Sequence, residues 1–280
     1  MFKKSYIKFL PLCLAIILIA ISYILDFSHD HLLKIHFIDV GYGDAIFIEM
    51  PDKTNLLIDS GHEKYAKKVM SYLSSRLQLS RSKKINTVIL THPHKDHFGN
   101  LDKIVEKFLV DKFYYNSDER MPHSGYFEII NIVREIIKPE ILKRGDKLTF
   151  SSGDVELRIL EPEEIAGMTN DSTIVAWLKY GETSILISSD IQMIRQDKII
   201  RDFDFIKDSD FVQIPHHGGY VSQEFASFFN TKNFVMSAGT EYGKPFEEEV
   251  SKFKGKIYRT DRMGTIVIKS DGRKMWVADE

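Results

Sequence analysis

The stretch THPHKDHFGN, residues 91–100, gathers three histidines and an aspartate directly after the apolar run INTVIL. His92 and His94 are alternate residues, so on leaving a strand their side chains can point toward one ion. Asp96 and His97 follow at a turn, where they could serve a second ion close by. Neutral imidazole and carboxylate suit zinc, manganese or iron. The spacing predicts a site for two divalent metal ions, Zn or Mn, better than it fits a solvated turn.

The chemistry that such a pair of ions supports is hydrolysis. Two metals about 3.5–4 Å apart can hold the attacking and leaving oxygens of the reaction. A water activated there would attack phosphorus or a carbonyl carbon, and the ions would neutralise the charge that develops on oxygen. Asp96, if it is not only a ligand, would orient that water or accept its proton. The residues support hydrolysis without identifying the substrate.

The segments around this cluster must bring it together with the rest of a site. The sequence predicts strands separated by tight turns at KIHFIDV, AIFIEM and NLLID. Apolar residues at helical spacing then follow in HEKYAKKVMSYLSSRL. The pattern recurs later in VELRIL, STIVAWLKY, TSILISS and FVQIP, which are followed by short helical segments. We predict an α/β (α+β) fold in which two mixed sheets are covered by outer helices.

Length and composition narrow the classes of protein. The chain has 280 residues, a net charge of −2 and a single cysteine, Cys13. No excess of positive charge indicates a nucleic-acid partner, and neither an internal disulfide nor a cysteine-based zinc site can form. Because no proline- or glycine-rich linker follows residue 31, we predict one hydrolase domain over residues 32–280.

The amino-terminal segment, residues 1–31, is different in kind. Phe9 to Leu25 carries no charge and follows Lys3, Lys4 and Lys8. We predict a single transmembrane helix at the short end of the usual length, with the lysines cytoplasmic and the catalytic domain extracytoplasmic at the cell membrane. The alternative is a cleaved signal peptide, which would make the protein secreted.

The ligand-rich stretch resembles the HxHxDH signature of the metallo-β-lactamase fold, an αβ/βα sandwich. The resemblance implies that Asp59, at the end of NLLID, supports the histidine loop. It implies that Asp190, at the end of TSILISSD, bridges the two ions. In IPHHGG it assigns the ligand role to His216 and a supporting or substrate-facing role to His217, although the two could be exchanged.

The resemblance is closer to one branch of that fold. Five segments of the chain, taken together, resemble the extracytoplasmic hydrolase domain of ComEC competence proteins, over roughly residues 33–270. They are DVGYGDAIFIEMPDKTNLLIDSG, THPHKDHFGN, NDSTIVAWLKYGETSILISSD, IPHHGG and IYRTDRMGTIVI. The choline-phosphate esterases acting on teichoic acid share this branch. The resemblance implies phosphodiesterase or nuclease activity on an anionic phosphodiester, and DNA is one candidate substrate. Protein partners are not indicated.

The chain departs from these relatives at several motif positions. Tyr42 replaces the usual glutamine of DVGQGD, and Ser188 and Ser189 replace the residues before the bridging aspartate. Lys244 precedes Pro245 where relatives often have histidine. We expect Lys244 either to contact a substrate phosphate or to be a solvated surface residue.

A middle histidine is also missing between the histidine cluster and Asp190. His123 is the only histidine in that interval, and it lies in a predicted loop. Asn170, Asp171 or Ser172 could complete the site or bind substrate, or could simply form the turn before STIVAW.

Several functions remain open at this point. The first is a membrane-anchored, metal-dependent phosphodiesterase or nuclease. The second is a hydrolase of choline phosphate, of another ester on wall polymers, or of an amide. The third is a metal-binding module whose altered motifs have cost it catalysis.

Overall fold

The structure is a computed structural model that describes residues 32–79, 83–120, 122–150, 153–165, 169–240 and 245–278. Within these ranges no helix combines the length and the apolar composition needed to cross a membrane. The predicted membrane segment, residues 9–25, lies outside the described residues, and so does Lys244.

The strands of the described residues are short and mostly buried. In chain order they are β1 (Leu33–Phe37), β2 (Ile46–Glu49), β3 (Asn55–Ile58), β4 (Lys84–Leu90), β5 (Leu109–Tyr115), β6 (Pro139–Ile141), β7 (Lys147–Thr149), β8 (Val155–Glu161), β9 (Val175–Tyr180), β10 (Thr183–Ile187), β11 (Phe211–Gln213), β12 (Asn233–Met236), β13 (Lys256–Arg259), β14 (Ile266–Ser270) and β15 (Met275–Val277).

Helices connect the strands in the same described ranges. The α-helices are Ala66–Leu79, Lys95–Phe98, Leu101–Lys107, Tyr126–Ile136, Met193–Asp202, Gln223–Phe228, Glu247–Val250 and Thr260–Met263. Single 3₁₀ turns are Glu63–Tyr65, Thr169–Ser172, Asp204–Asp208 and Pro215–Gly218.

The strands form two mixed sheets. Among the described residues, the first sheet has eight strands in the order β15-β14-β1-β2-β3-β4-β5-β6, and the second has seven in the order β13-β12-β11-β10-β9-β8-β7. Strands β3 to β6 are parallel to one another, and the other pairs of the first sheet are antiparallel. Strands β10 to β13 are likewise parallel, whereas β7 to β10 pair antiparallel. Each sheet thus has one parallel half, whose strands end on a common edge.

The two sheets pack face to face over a shared apolar core. Ile35 and Ile48 of the first sheet belong to the same buried cluster as Leu157, Leu178 and Val235 of the second. Other clusters join the outer face of each sheet to its helices. The layers therefore run helix, sheet, sheet, helix, because each sheet has an apolar face on both sides to remove from water.

This arrangement confirms the predicted fold class of two mixed sheets with outer helices. The sequence pattern did not reveal β5 or the helix Met193–Asp202. The helix has few apolar residues, and it buries only Gln196 and Ile199, so its hydrophobic pattern is weak in the sequence. Strand β5 begins with Leu109 exposed, and its burial does not alternate.

Candidate metal centre

The predicted site residues lie at the carboxyl ends of the parallel strands. Asp59 follows β3 and His92 follows β4, which is its parallel neighbour. Asp190 follows β10, and His216 follows β11, which is parallel to β10. Ligands in open α/β sheets bind outside the carboxyl ends of strands, because the loops that leave those ends converge. Here the two sheets contribute such loops to one place.

Asp190 is the residue that the other candidate ligands share. One group of donor atoms, all within 4.8 Å of one another, comes from Asp96, His97, Asp190 and His217. A second group within the same limit comes from His92, His94 and Asp190. The two groups share the Asp190 carboxylate, as expected for an aspartate that bridges two ion positions.

The donor atoms at this point fit a metal centre. In the described part of the chain, the Nε2 atoms of His92, His97 and His217 and Oδ1 of Asp190 are buried and take part in no hydrogen bond. Buried polar atoms are nearly always paired, so several left without hydrogen bonds together need a common partner. Imidazole nitrogen and carboxylate oxygen are a donor set for zinc, manganese or iron.

Asp59 fixes the orientation of His97. Its Oδ2 accepts a hydrogen bond of 2.7 Å from Nδ1 of His97, and Oδ1 accepts one of 2.8 Å from the backbone N of Thr91. Because Nδ1 of His97 donates to Asp59, Nε2 is the nitrogen left to face a metal ion, 3.4 Å from Oδ2 of Asp190. A carboxylate that orients a ligating histidine in this way is a common supporting arrangement.

A chain of hydroxyl groups fixes which nitrogen of His92 carries the proton, as Asp59 does for His97. Thr173 donates to Ser189, Ser189 donates to Thr91, and Thr91 donates to the Asp59 carboxylate at 2.7 Å. Each of these hydroxyl protons is already used in one of these hydrogen bonds. The Thr91 and Thr173 oxygens lie 3.0 and 3.2 Å from Nδ1 of His92, and toward that nitrogen they can therefore only accept. Nδ1 of His92 must donate, which leaves its Nε2 for a metal.

The adjacent histidines His216 and His217 turn to different sides of Asp190. Nε2 of His216 is 3.6 Å from Oδ2 of Asp190, and Nε2 of His217 is 3.4 Å from Oδ1. Nε2 of His217 also lies 3.2 Å from Oδ2 of Asp96, while its Nδ1 is 3.2 Å from the carbonyl of Ser237. The sequence assigned the ligand role to His216; the geometry brings both rings to the cluster and places His217 in the tighter group.

Strained backbone positions the side chains of His216 and His217. His216 and His217 have φ values of 51° and 56°, in the left-handed region that side chains other than glycine rarely adopt. Asp59 and Ser189 also have positive φ, at 60° and 47°. Left-handed residues cost free energy and persist where the surroundings require them. All four lie in loops that carry predicted site residues.

Burial and charge divide the histidines into two classes. Burial, reinforced by His97, lowers the pKa of His92 well below its ordinary value. Burial, with the stacked His123 ring, lowers the pKa of His94 to about 4. Burial alone would also lower the pKa of His97, but the carboxylates of Asp190, Asp59 and Asp96 raise it well above its ordinary value. His92 and His94 are therefore neutral and ready to bind a cation at neutral pH.

The carboxylates of the cluster stay ionised. Burial alone would raise the pKa of Asp190, but His217, His216 and His97 hold it well below its ordinary value. The pKa of Asp96 is lowered in the same way, against burial, by His97 and His217. A carboxylate with so low a pKa is a weak proton acceptor, so Asp96 is better suited to bind and orient than to act as a general base.

Asp44 belongs to the support of this centre. Its Oδ2 accepts a 2.9 Å hydrogen bond from Nε2 of Gln213, whose Oε1 accepts 3.1 Å from the backbone N of Ser189. Although Asp44, Asp59 and His97 are close enough to hold an ion, His97 already donates to Asp59 through Nδ1. We therefore assign the group to the layer that supports the ligands.

The remaining predicted residues lie around the mouth of the centre or beside it. A cavity of about 290 Å³ is lined by Tyr42, His62, His94, Lys95, Asp96, His123, Asp190 and His216. His123 stacks on His94 with ring centroids 4.1 Å apart, and it does not enter either ligand group. The missing middle histidine is thus not replaced by His123.

Asn170 and Ser172 lie on the same side of the site in the turn Thr169–Ser172. Nδ2 of Asn170 is 3.3 Å from Nε2 of His216. The hydroxyl of Ser172 accepts from Arg120 at 3.1 Å, so this serine stabilises the loop. Asp171, next to them, is outside both ligand groups.

Residues to which the sequence assigned no role in the site complete the centre. Thr91, Thr173, Ser189 and Gln213 set the protonation and position of the ligands through the hydrogen bonds above. Their only signal in the sequence is that each lies within two residues of a strand end or a predicted ligand.

Comparisons with known proteins agree with this geometry. Residues 38–255 match the family model of the metallo-beta-lactamase superfamily. ComE operon protein 3 of Bacillus subtilis (strain 168) is 26% identical over 261 residues, which cover 83% of this chain and 32% of that protein. The chain thus spans about a third of the length of that relative.

Solved structures share the fold. The metallo-beta-lactamase fold protein YhfI from Bacillus subtilis has a TM-score of 0.59 at 16% identity, over 85% of this chain and 100% of that one. A protein from Parabacteroides distasonis named as a metal-dependent hydrolase has a TM-score of 0.50 at 18% identity, over 81% and 92%. With the family model matching most of its length and the ligand cluster at the expected edge, this chain belongs to the metallo-β-lactamase superfamily.

Proposed function

We propose that this protein is a metal-dependent phosphodiesterase with nucleic acid as its leading candidate substrate, tethered to the cell membrane by its amino-terminal segment. The observation that carries the proposal is the convergence of buried Nε2 atoms of His92, His97 and His217 on Asp190, at the floor of an open cavity. Such a cavity admits a phosphoryl group to the ligands while their supporting residues stay dry.

The ligands divide between two positions. His92 and His94 with Asp190 would hold one divalent ion, and Asp96, His97 and His217 with Asp190 would hold the other. Zn or Mn bound there would supply an activated water and electrostatic stabilisation of the oxyanion. Asp190 holds the two positions together, and Asp59 and the Thr91 hydroxyl keep His97 and His92 aimed at them.

A phosphodiester is favoured by the relative as well as by the site. The chain is 26% identical to ComE operon protein 3 along most of its own length. Lys95 lines the cavity, and Tyr42 lines it with a ring 4.7 Å from His217. The Lys95 ammonium also pairs with Glu63 at 2.8 Å, so its positive charge is shared. The Tyr42 phenol can donate a hydrogen bond to a phosphoryl oxygen or to the departing alkoxide.

A panel of substrates tests the proposed function. The purified chain, loaded with zinc or manganese, would be given single- and double-stranded DNA, bis(p-nitrophenyl) phosphate, a phosphocholine ester and a β-lactam. We expect hydrolysis of the phosphodiesters. Turnover of the phosphocholine ester or the β-lactam alone would assign the protein to another ester or amide, and no turnover with metal bound would leave a metal-binding module.

Asp190 provides the matched variant. Asp190→Asn keeps the size of the side chain but removes its charge and one strong ligand oxygen. We expect it to lose hydrolysis by more than about 100-fold and to hold fewer ions. Retained hydrolysis with unchanged metal content would overturn the assignment of Asp190 as the shared ligand.

The membrane attachment has its own test. We propose that the uncharged segment 9–25 keeps the protein in the membrane with the catalytic domain outside. Alkaline extraction of membranes should leave the full-length protein in the pellet, and protease added outside the cell should degrade the domain. Release of a shortened chain into the medium would instead indicate cleavage and secretion.

A further inference from the structure

Two exposed aromatic rings lie beside the metal centre. Tyr220 is 50% exposed and Phe246 is 36% exposed, and their ring centroids are 5.8 Å apart at an angle of 89°. The Tyr220 ring is 5.5 Å from the ring of His216, whose Nε2 is 3.6 Å from Asp190. One imidazole therefore separates this aromatic pair from the shared carboxylate.

Hydrogen bonds tie the backbone of both aromatic residues to the metal centre. Nε2 of Gln196, a fully buried residue, donates to the carbonyl of Tyr220 at 3.0 Å and to that of Ile191 at 2.7 Å. Ile191 directly follows Asp190. Phe246 is bound to the loop of His216 and His217, because its backbone N donates to the carbonyl of Gly218 at 3.0 Å. The backbone of each residue is thus fixed to the loops that carry the ligands.

The exposed position of the Tyr220 ring costs free energy. Its φ is 55°, a left-handed conformation that a bulky side chain rarely adopts. A large apolar ring that is half exposed also forgoes the free energy of burial. Strain and exposure at one residue beside an active centre point to a binding role.

We infer that Tyr220 and Phe246 form a stacking subsite for the base of a nucleotide next to the scissile phosphate, an inference that rests on the proposed function. A base presents a flat π-face that stacks on an aromatic ring, and this contact tolerates any base sequence. The phosphate at Asp190 and the base on Tyr220 would then belong to the same strand. The substrate is accordingly a single-stranded segment, whose bases are free to stack.

The charges and the shape of the surface agree with an anionic strand. Two of the three acidic residues after Phe246 are paired with cations, Glu247 with Arg259 at 2.6 Å and Glu249 with Lys252 at 2.9 Å. The two rings meet edge to face, at 89°, and do not form an enclosed cage. A quaternary ammonium group is bound most strongly where rings surround and desolvate it, so this open arrangement favours a base that stacks on an exposed ring face.

Binding of a cleavage-resistant oligonucleotide tests the subsite. The full-length, metal-loaded chain in detergent would be titrated with a phosphorothioate strand containing 2-aminopurine, and with the same strand made abasic at that position. We expect the wild type to quench 2-aminopurine fluorescence and to bind the base-bearing strand roughly ten-fold more tightly. Tyr220→Asn, which keeps a residue tolerant of left-handed backbone, and Phe246→Ala should each lose most of this preference.

Two further variants separate stacking from folding. Tyr220→Phe keeps the ring and should retain the quenching. Phe205→Ala removes an aromatic ring of similar exposure, 39%, from the turn Asp204–Asp208 and should behave as wild type.

The outcomes distinguish this subsite from the proposed function. If the wild type hydrolyses bis(p-nitrophenyl) phosphate but binds the base-bearing and abasic strands equally, the subsite is wrong and the phosphodiesterase stands. Equal loss of preference in Phe205→Ala would also overturn it. If no phosphodiester is hydrolysed and no strand is bound, both proposals fall.

Discussion

The side chains of His216 and His217 face opposite oxygens of one carboxylate, although the two residues are adjacent. Nε2 of His216 is 3.6 Å from Oδ2 of Asp190, and Nε2 of His217 is 3.4 Å from Oδ1. Consecutive left-handed residues make this divergence, with φ values of 51° and 56°. The pair could therefore serve the two ion positions separately, one histidine for each.

This separation predicts which double variants lose both ions. His217 belongs to the donor group of Asp96 and His97, whereas His216 does not, so we place His216 with the His92–His94 position. His94→Ala with His216→Asn should fall from about two bound ions per chain to about one, whereas His94→Ala with His217→Asn should retain none. Metal content measured by mass spectrometry after gel filtration checks this. Equal metal content in the two double variants would contradict the separation.

Asp59 should control the metal affinity through His97. Asp59→Asn keeps the shape of the side chain, and asparagine tolerates the φ of 60°, so the fold should survive. The amide can no longer accept from both Thr91 and His97 as the carboxylate does, and His97 loses its fixed tautomer. We expect metal affinity to fall by about 10–100-fold, measured by competition with a chromogenic chelator. Unchanged affinity in a folded variant would show that Asp59 has no role in orienting His97.

Gly43 should be needed for a close contact with the ligand loop. A Cβ at Gly43 would lie 2.2 Å from the carbonyl oxygen of Asp96, at a φ of 114°. Gly145 offers a matched control, since its φ is 94° and a Cβ there would meet nothing within 4 Å. Gly145→Ala should cost only the backbone strain, about 1–2 kcal/mol of unfolding free energy.

Gly43→Ala should cost about 1–3 kcal/mol more than this control, because the Asp96 loop must move to make room. It should also lower metal content, since Asp96 moves with its backbone. Urea unfolding and metal analysis of the two variants side by side would check both effects. Equal costs would mean that the loop yields to the extra methyl group without strain.

The ion pair between Glu49 and Arg76 should contribute to stability in a pH-dependent way. Nε and Nη2 of Arg76 donate to the two oxygens of Glu49 at 2.7 and 2.8 Å. Burial alone would raise the pKa of Glu49, but His36 and Arg76 lower it from 4.5 to about 2. A carboxyl whose folded pKa is depressed stabilises the protein above its unfolded pKa. That contribution is lost as the pH falls from about 4.5 to about 2.

Glu49→Gln should therefore destabilise the protein at neutral pH by roughly 1–2 kcal/mol, a value reduced for the partial exposure of the pair. The difference from wild type should shrink as the pH falls from 4.5 toward 2. Chemical unfolding at several pH values would measure it, with Glu106→Gln as a solvent-exposed control. A difference that is constant across this range would show that the ionised form of Glu49 is not favoured by folding.

The sequence alone was enough for the fold class and for the place of the candidate centre. Alternation of strand and helix patterns predicted two mixed sheets with outer helices. The stretch 92–97 indicated metal chemistry because ligands so close in sequence cannot be far apart in space. Asp190 was assigned through the resemblance to the metallo-β-lactamase fold, and in the structure it lies at the end of a buried strand, at the same edge as the histidine loop.

The tertiary structure decided how the donors are aimed. The hydroxyl chain from Thr173 through Ser189 and Thr91 to Asp59 joins loops of both sheets, and no local pattern predicts it. Left-handed backbone at His216 and His217 decided which imidazole meets which oxygen, because φ at a non-glycine residue depends on its surroundings. Residue types and spacing determine which chemistry a chain can support; long-range packing determines the direction in which each lone pair points.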